Sequence, residues 1–465
     1  MKTGDSGMNM TEGSVPRLLL VFSMPMVLQM LFVVVNNFVS AVIVGQFVGA
    51  VALGVVAIVM PILFVTNSIA IGFTTATSIL VAQAYGKGDL KGIRKIIDTS
   101  LILILVTCAA VMIAGIANID ALLRAIKAEE SMMGDARIYL MVQFAITPLM
   151  FLQFLFFSSL RGIGDSKPTM WYQILGVTLT ILFTLLLVCG FFGLPRLGIM
   201  GAALSMGIAQ FIVDVCLLFQ LVRTKSVVCP HLRNISFSKD LAWLTVRLGF
   251  PTMLQQVILN VCSIFIVGFV NRWGVIVTAG FGAASRIDFV AFAPAQAVCM
   301  AVSMMAGQNI GVQKFDRVKK IFGWGTLMAF VTTLVPAFFA WFYPEFLMRI
   351  FIHEEAPIAV GVMYLKYNAV AYLFYSFMFC GEGIPLAAGQ TWVATVVSLI
   401  SLWAFRVPLA WYFMNHGMEE RGIWLGIVIG LVVGTVLITG YFFSGGWKRK
   451  ALTPSEEEAD AGRAV

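Results

Sequence analysis

Six ionisable residues lie deep inside otherwise apolar stretches: Asp214, Arg286, Asp288, Lys366, Glu382 and Arg406. A carboxylate kept from water is tolerated only beside a proton, a cation or hydrogen-bond donors, so such residues are the first candidates for ion or proton handling. Arg286 and Asp288 are two apart, which places them on different helix faces, so they need not pair. Asp288 is the leading candidate to carry a proton or contact a cation; the alternative is a structural anchor bonded to neighbouring helices. Asp214, among Val213, Val215 and Cys216, and Glu382, between Gly381 and Gly383, are weaker coupling candidates. Asp214 is placed toward the cytoplasmic end of its helix, and Glu382 close enough to a helix end to reach the interface. Arg406 and Lys366 can neutralise these acids, and Asp98 is expected at the interface.

Uncharged polar residues form a second group. Gln29, Asn36 and Asn37 on the first apolar run mirror Gln255, Gln256 and Asn260 on the seventh. Amides there can hydrogen-bond a substrate, as can Arg286 and Arg406 if the ligand is anionic. Equally, the amides can bond between helices, worth about 1 kcal/mol each. Pro25 and Pro251 each remove a backbone hydrogen bond and are hinge candidates. The 25 Met and 38 Phe suit an adaptable apolar cavity, or simply face lipid and core.

Other chemistry finds no support. The seven cysteines are dispersed and form no CxxC pair. His231, His353 and His416 are far apart, and neither HExxH nor GxxxxGK[ST] occurs. No catalytic residues, no metal site and no cofactor are expected, and a membrane-embedded enzyme would need clustered catalytic groups that are not found. The net charge of +8 lies in short clusters between apolar runs, a membrane-topology pattern that argues against nucleic acid.

The residues above must be positioned by elements that live in lipid. Of the chain, 60% is apolar and only 12% is charged, and the mean hydropathy is +0.94. Stretches long enough to cross about 30 Å of hydrocarbon fall at 18–45, 51–82, 96–118, 136–159, 168–193, 197–222, 243–270, 276–307, 321–343, 357–382, 391–414 and 422–446. Alternate connections are basic: Lys87 to Lys95, Arg161 and Lys167, Arg223 to Lys239, Lys314 to Lys320, and Lys448 to Lys450. The others are mixed or acidic. This predicts a multi-pass membrane protein with both termini in the cytoplasm, and the plasma membrane is the expected location. The tail from Thr453 is acidic and polar, and is expected to be disordered. Asn9-Met-Thr11 and Asn234-Ile-Ser236 match glycosylation acceptors but fall on the predicted cytoplasmic side.

The sequence repeats itself at an offset near 225. Pro25-Met-Val-Leu-Gln29 matches Pro251-Thr-Met-Leu-Gln255, and Gln83-Ala-Tyr-Gly86 matches Gln308-Asn-Ile-Gly311. Gly164-Asp-Ser166 aligns with Gly389-Gln-Thr391, and Gly198-Ile199 with Gly422-Ile423. Six crossings per half is even, so both halves enter from one side and a pseudo-twofold axis along the membrane normal is expected. The predicted fold is an all-α integral membrane protein with twelve transmembrane helices in two six-helix lobes. Its predicted parts are a tail (1–16), an N-lobe (17–222), a linker (223–242), a C-lobe (243–446) and a second tail (447–465). Gly422, Gly426, Gly430 and Gly434, and Gly201, Ser205 and Ala209, predict close helix contacts.

On several segments the chain resembles bacterial transporters of the multidrug and toxic compound extrusion (MATE) family. These are Gly307-Gln-Asn-Ile-Gly311 followed by Asp316-Arg-Val-Lys-Lys320, Asn271-Arg-Trp-Gly274, Leu160-Arg-Gly-Ile-Gly-Asp-Ser166, Gly198-Ile-Met-Gly-Ala-Ala203 and Arg406-Val-Pro408. The resemblance covers residues 15–446. It implies a central cavity and efflux of small organic molecules by antiport with H⁺ or Na⁺, the protein acting as a monomer in the bilayer. Family members often carry an Asp five residues before the Gly of a VG pair; here the pair is Val44-Gly45 and the position is Ser40. An Asn…Asp pair late in helix five is replaced by Thr184-Leu-Leu-Leu-Val188. The resemblance therefore implies a first lobe without its usual cation site. Alternatives are a flippase for lipid-linked oligosaccharides or polysaccharide precursors, and a sensor or scaffold that has lost coupling.

Overall fold

The computed structural model describes residues 7–126, 129–190, 196–230, 235–448 and 452. Lys127, His231, Arg233, Asn234, Arg449, Lys450 and the tail from Thr453 lie outside the described residues. The described chain is helical, without a strand. Its order is α1 (Val15–Phe47), α2 (Ala50–Lys87), α3 (Leu90–Ala117), α4 (Ile119–Ala125), α5 (Glu130–Gly162), α6 (Lys167–Cys189) and α7 (Gly198–Arg223). Then come α8 (Lys239–Asn271), α9 (Val275–Gly311), α10 (Phe315–Phe342), α11 (Pro344–Arg349) and α12 (Glu355–Ala387). α13 (Thr391–Leu399), a π-helical stretch Ile400–Arg406, α14 (Val407–Phe413), a second wide stretch Met414–Met418 and α15 (Glu419–Ser444) complete it. Helix is what the composition demands, because lipid offers no partner for backbone N–H and C=O groups.

Eleven described helical segments are long and apolar enough to cross a membrane. The last of them, Thr391–Ser444, has 54 residues, about twice what one crossing needs at 1.5 Å per residue. Its backbone leaves helical geometry at His416 (φ −117°) and Gly417 (φ 88°). Gly417 supplies a left-handed conformation that a side chain would oppose. The segment therefore makes two crossings, giving the twelve expected.

The duplication is visible in the element boundaries. α2, α3, α4 and α5 begin at Ala50, Leu90, Ile119 and Glu130, and α9, α10, α11 and α12 at Val275, Phe315, Pro344 and Glu355. Each start in the second set follows its counterpart at the same offset as the sequence repeat. Packing repeats as well: α5 packs on α2 and α3, and α12 on α9 and α10.

The compact units cut the chain differently from the expected lobes 17–222 and 243–446. Unit 1 comprises Met1–Met8 and Phe32–Met253; unit 2 comprises Asn9–Leu31 and Leu254–Val465. The first half of α1 thus belongs with the second repeat, and the first half of α8 with the first. Pro25 and Pro251 interrupt the hydrogen-bond ladders of these helices in the segments just before the units change.

Each exchanged half-helix is pinned inside its host unit. In unit 2, Met10 N–H donates to Gln308 Oε1 (2.9 Å) and Asn309 Nδ2 donates to the Met10 carbonyl (3.1 Å). Lys314 Nζ donates to the Thr11 carbonyl (3.1 Å), and Arg317 donates to the carbonyls of Glu12 and Gly13 (both 2.8 Å). Met10 and Thr11 are buried. In unit 1, the backbone N–H and hydroxyl of Ser236 donate to Asp98 Oδ2 (3.3 and 3.4 Å). There α2 and α8 also touch backbone to backbone: a Cβ on Gly72 would lie 2.7 Å from the Gly249 carbonyl oxygen. Asn9 Oδ1 accepts from the N–H and hydroxyl of Thr11 (2.9 and 2.7 Å), a local turn. Asn9-Met-Thr11 and Asn234-Ile-Ser236 occupy matching positions of the two repeats, so these tripeptides fit the register of the duplication.

The glycine stripe of α15 packs within unit 2. A Cβ on Gly422 would meet the Met414 backbone at 2.5 Å, one on Gly426 the Ala410 backbone at 2.6 Å, and one on Gly430 the Arg406 Cβ at 2.6 Å. Gly426→Ala is expected to destabilise by about 1–3 kcal/mol through overpacking, read as a lower melting temperature in detergent. Gly440→Ala, whose Cβ meets nothing within 4 Å, should leave the melting temperature unchanged.

Candidate functional site

The most concentrated buried polar group is in unit 2, between α9 and α12. Asp288 is 7% exposed. Its Oδ2 accepts from the Tyr364 hydroxyl (2.5 Å) and from Asn368 Nδ2 (2.9 Å), and its Oδ1 from the Tyr372 hydroxyl (2.5 Å). The three donors recur every four residues, so α12 presents them as one stripe. An aromatic shell keeps water away. Phe281 meets Tyr364 edge-on (5.2 Å) and stacks on Trp424 (5.4 Å), while Phe292 meets Tyr372 edge-on (5.3 Å). Ile287, Ala291, Leu365 and Ala369 fill the remaining space.

Arg406 is a basic residue on a further segment of the same unit. It ends the π-helical stretch Ile400–Arg406. Pro408, two residues on, has no N–H to donate and its ring displaces the carbonyl four residues back, which accounts for the widened turn. Gly430 leaves room for the base of the Arg406 side chain. Arg406 Nε is buried without an acceptor. No ion pair among the described residues includes Asp288, so its described partners are neutral donors.

Glu382 forms a second centre on the same helix, ten residues and about 15 Å from Tyr372. Gln255 Nε2 donates to Ser398 Oγ (2.9 Å), whose hydroxyl donates to Glu382 Oε1 (3.3 Å). Glu382 is buried rather than at the interface. The glycines beside it explain why: a Cβ on Gly381 would meet Ile438 at 2.8 Å, and one on Gly383 the Cys299 carbonyl oxygen at 3.3 Å, so neighbouring helices close over it.

Asp214 stands by itself in unit 1. It is buried on α7, nine residues before that helix ends, not at its terminus. Gln210 Nε2 donates to its Oδ1 (3.2 Å), while Oδ2 is buried without a partner. Gln29 and Gln255 are buried, Gln256 and Asn260 half-buried, and Asn37 exposed. Asn36 is half-buried with Oδ1 unpartnered. Arg286 and Lys366 are exposed. Among the described residues, no three of His, Cys, Asp and Glu stand together as a metal site would require.

Sequence reasoning misses Tyr364, Asn368 and Tyr372, and Ser398 beside Glu382. The spacing Tyr-x₃-Asn-x₃-Tyr is the available signal, and the duplication reinforces it. The matching positions of the first repeat are Tyr139, Gln143 and Thr147, all buried on α5. The position matching Asp288 is Leu63. Both units carry the polar stripe, but only unit 2 carries the carboxylate it surrounds.

Comparison with known proteins gives a consistent result. A family model described as MatE matches twice, at residues 25–186 and 251–412. Probable multidrug resistance protein YpnP of Bacillus subtilis is 33% identical over 443 residues, covering 95% of this chain and 98% of its own. Probable multidrug resistance protein NorM of Thermotoga maritima is 22% identical over 410 residues, covering 86% of each. Among solved structures, an outward-facing multidrug resistance MATE family transporter superposes with a TM-score of 0.89 at 21% identity, over 97% of this chain and 100% of that one. A transporter of the MOP superfamily from Pyrococcus furiosus also gives 0.89, at 22% identity and the same coverage.

Tyr372→Phe should cost about 1–3 kcal/mol by removing a donor from a buried carboxylate, seen as a lower melting temperature. In an Asp288→Leu background the same change should cost much less, and that difference measures the Asp288–Tyr372 coupling.

Proposed function

The chain belongs to the MatE family of multidrug efflux transporters, and on that premise we propose that it exports small organic molecules by antiport with H⁺ or Na⁺, with Asp288 as the coupling residue. The observation that carries this is Asp288 itself, an unpaired carboxylate held by Tyr364, Asn368 and Tyr372 in an apolar shell. As a carboxylate it accepts from all three. As a carboxylic acid it becomes a donor, and a Tyr hydroxyl or the Asn amide can turn to accept from it. The same ring of partners therefore serves both protonation states, as reversible loading requires. For Na⁺, the carboxylate, two phenol oxygens and an amide oxygen form a set of hard donors.

Loading removes or neutralises one charge in the α9–α12 packing and changes what Arg406 faces. An ion can move a two-state equilibrium only through its different affinity for the two states. In this reading, binding at Asp288 favours the conformation that releases substrate outward, and export follows by alternating access of the two lobes. Both termini lie in the cytoplasm, the substrates are amphipathic organic molecules, and the monomer is the working unit. Ser40 and Thr184–Val188 leave the first lobe without the acidic residues often found there, so coupling falls to the second. Glu382 and Asp214 are secondary coupling candidates, and the amides of α1 and α8 are substrate contacts.

A second reading, a flippase for phosphate-bearing lipid-linked sugars, draws on Arg406, whose buried Nε lacks an acceptor. Dye accumulation in inside-out vesicles separates the two. Imposed ΔpH or ΔNa⁺ should drive uptake by the wild type, and Asp288→Asn should reduce it to the protein-free background while substrate binding to purified protein persists. Undiminished gradient-driven uptake by Asp288→Asn would remove Asp288 from the coupling role. Gradient-independent translocation of a lipid-linked sugar would favour the flippase.

A further inference from the structure

We propose that unit 1 carries a built site for an anionic phospholipid, in the groove between α6 and α7. The groove has a volume of about 580 Å³ and a floor of Leu160, Leu217 and Leu221, all buried. A second hollow of about 370 Å³ adjoins it and shares Tyr172 and Gln220. Both lie where α6 begins and α7 ends, the side on which the charge pattern places the cytoplasm.

The chemistry divides along the groove. Toward the helix ends, Lys167 at the start of α6 lines the first hollow with Thr224 and the buried Ser226, and Arg223 at the end of α7 lines the adjoining one; both cations are exposed. Further into the membrane the walls are Trp171, Leu175, Val215 and Phe219. Trp171 is 64% and Phe219 66% exposed. The Tyr172 hydroxyl donates to the Cys216 carbonyl (3.1 Å), which ties α6 to α7 and fixes the wall common to both hollows. Asp165 also lines the groove and is buried, and no ion pair described for Lys167 or Arg223 involves it.

Two cations above an aromatic-lined apolar channel match a phosphate headgroup above acyl chains. Basic pockets between transmembrane helices on the cytoplasmic side bind such headgroups, and Trp and Tyr favour this depth. The groove is also particular to one repeat. The positions of the second repeat that match Lys167 and Trp171 are Trp392 and Val396. The duplicated fold therefore keeps the helices without keeping the lysine or the tryptophan, so those two residues are not dictated by packing the fold.

Full-length protein in detergent, titrated with phosphatidylglycerol or phosphatidylcholine and read by native mass spectrometry, tests this. Phosphatidylglycerol should be retained preferentially by the wild type, and the Lys167→Gln/Arg223→Gln variant should bind it about tenfold more weakly. Phosphatidylcholine binding should be the same in both, and inorganic phosphate should not displace the bound lipid. Equal phosphatidylglycerol retention by the variant, or displacement by millimolar phosphate, would overturn the site. If the double variant does not fold, Trp171→Ala with both cations intact should lose lipid retention; retention at the wild-type level would count against the groove.

Discussion

A carboxylate surrounded by hydrocarbon must find every partner within the protein, and this constraint organises unit 2. Asp288 is supported by three donors from a single helix face, and those donors fix the rotation of α12 against α9. Arg406 stands on a third segment, brought into place by a π-helical stretch upstream of Pro408 and by the missing side chain of Gly430. The small residues of α15 are thus part of the polar site as well as of the packing, because without them the backbone carrying Arg406 would be held away.

The spans and the duplication are legible in the sequence because both are written in hydropathy and in glycine and proline positions. The register of the repeat links α2 to α9 and α5 to α12 down to the residue at which each begins. What cannot be read is partnership. Hydropathy marks that α1 and α8 cross the membrane, but not that each changes its packing partner partway along. Tyr364, Asn368 and Tyr372 escape notice because phenols are ordinary in apolar spans, and their spacing acquires meaning only when a carboxylate faces them. The closeness of Glu382 to a helix end suggests an interface. Flanking glycines instead let neighbouring helices cover it.

The two repeats also show how a duplicated fold divides its labour. Tyr139, Gln143 and Thr147 keep the buried polar stripe in unit 1, where Leu63 stands in place of an acid. Such a stripe can satisfy itself with neutral groups and remain compatible with lipid. One carboxylate added to such a stripe, as at Asp288, is the difference on which the proposed coupling role rests. The family's relatives span almost the whole chain, so this asymmetry sits inside the shared scaffold and not in an added domain.

The exchange of half-helices bears on how the molecule is made. Residues 9–31 leave the ribosome early, yet they belong to a unit whose other members begin at Leu254. The opening stretch of α1, with the strap that Gln308, Asn309, Lys314 and Arg317 later hold, must therefore wait in the membrane while the whole first repeat is synthesised. Neither repeat can finish packing as it emerges. The second half completes itself only by reaching back to the opening of α1, and the first only after the linker has delivered the start of α8. Packing of both units therefore depends on residues that the chain delivers only after the first repeat has been made.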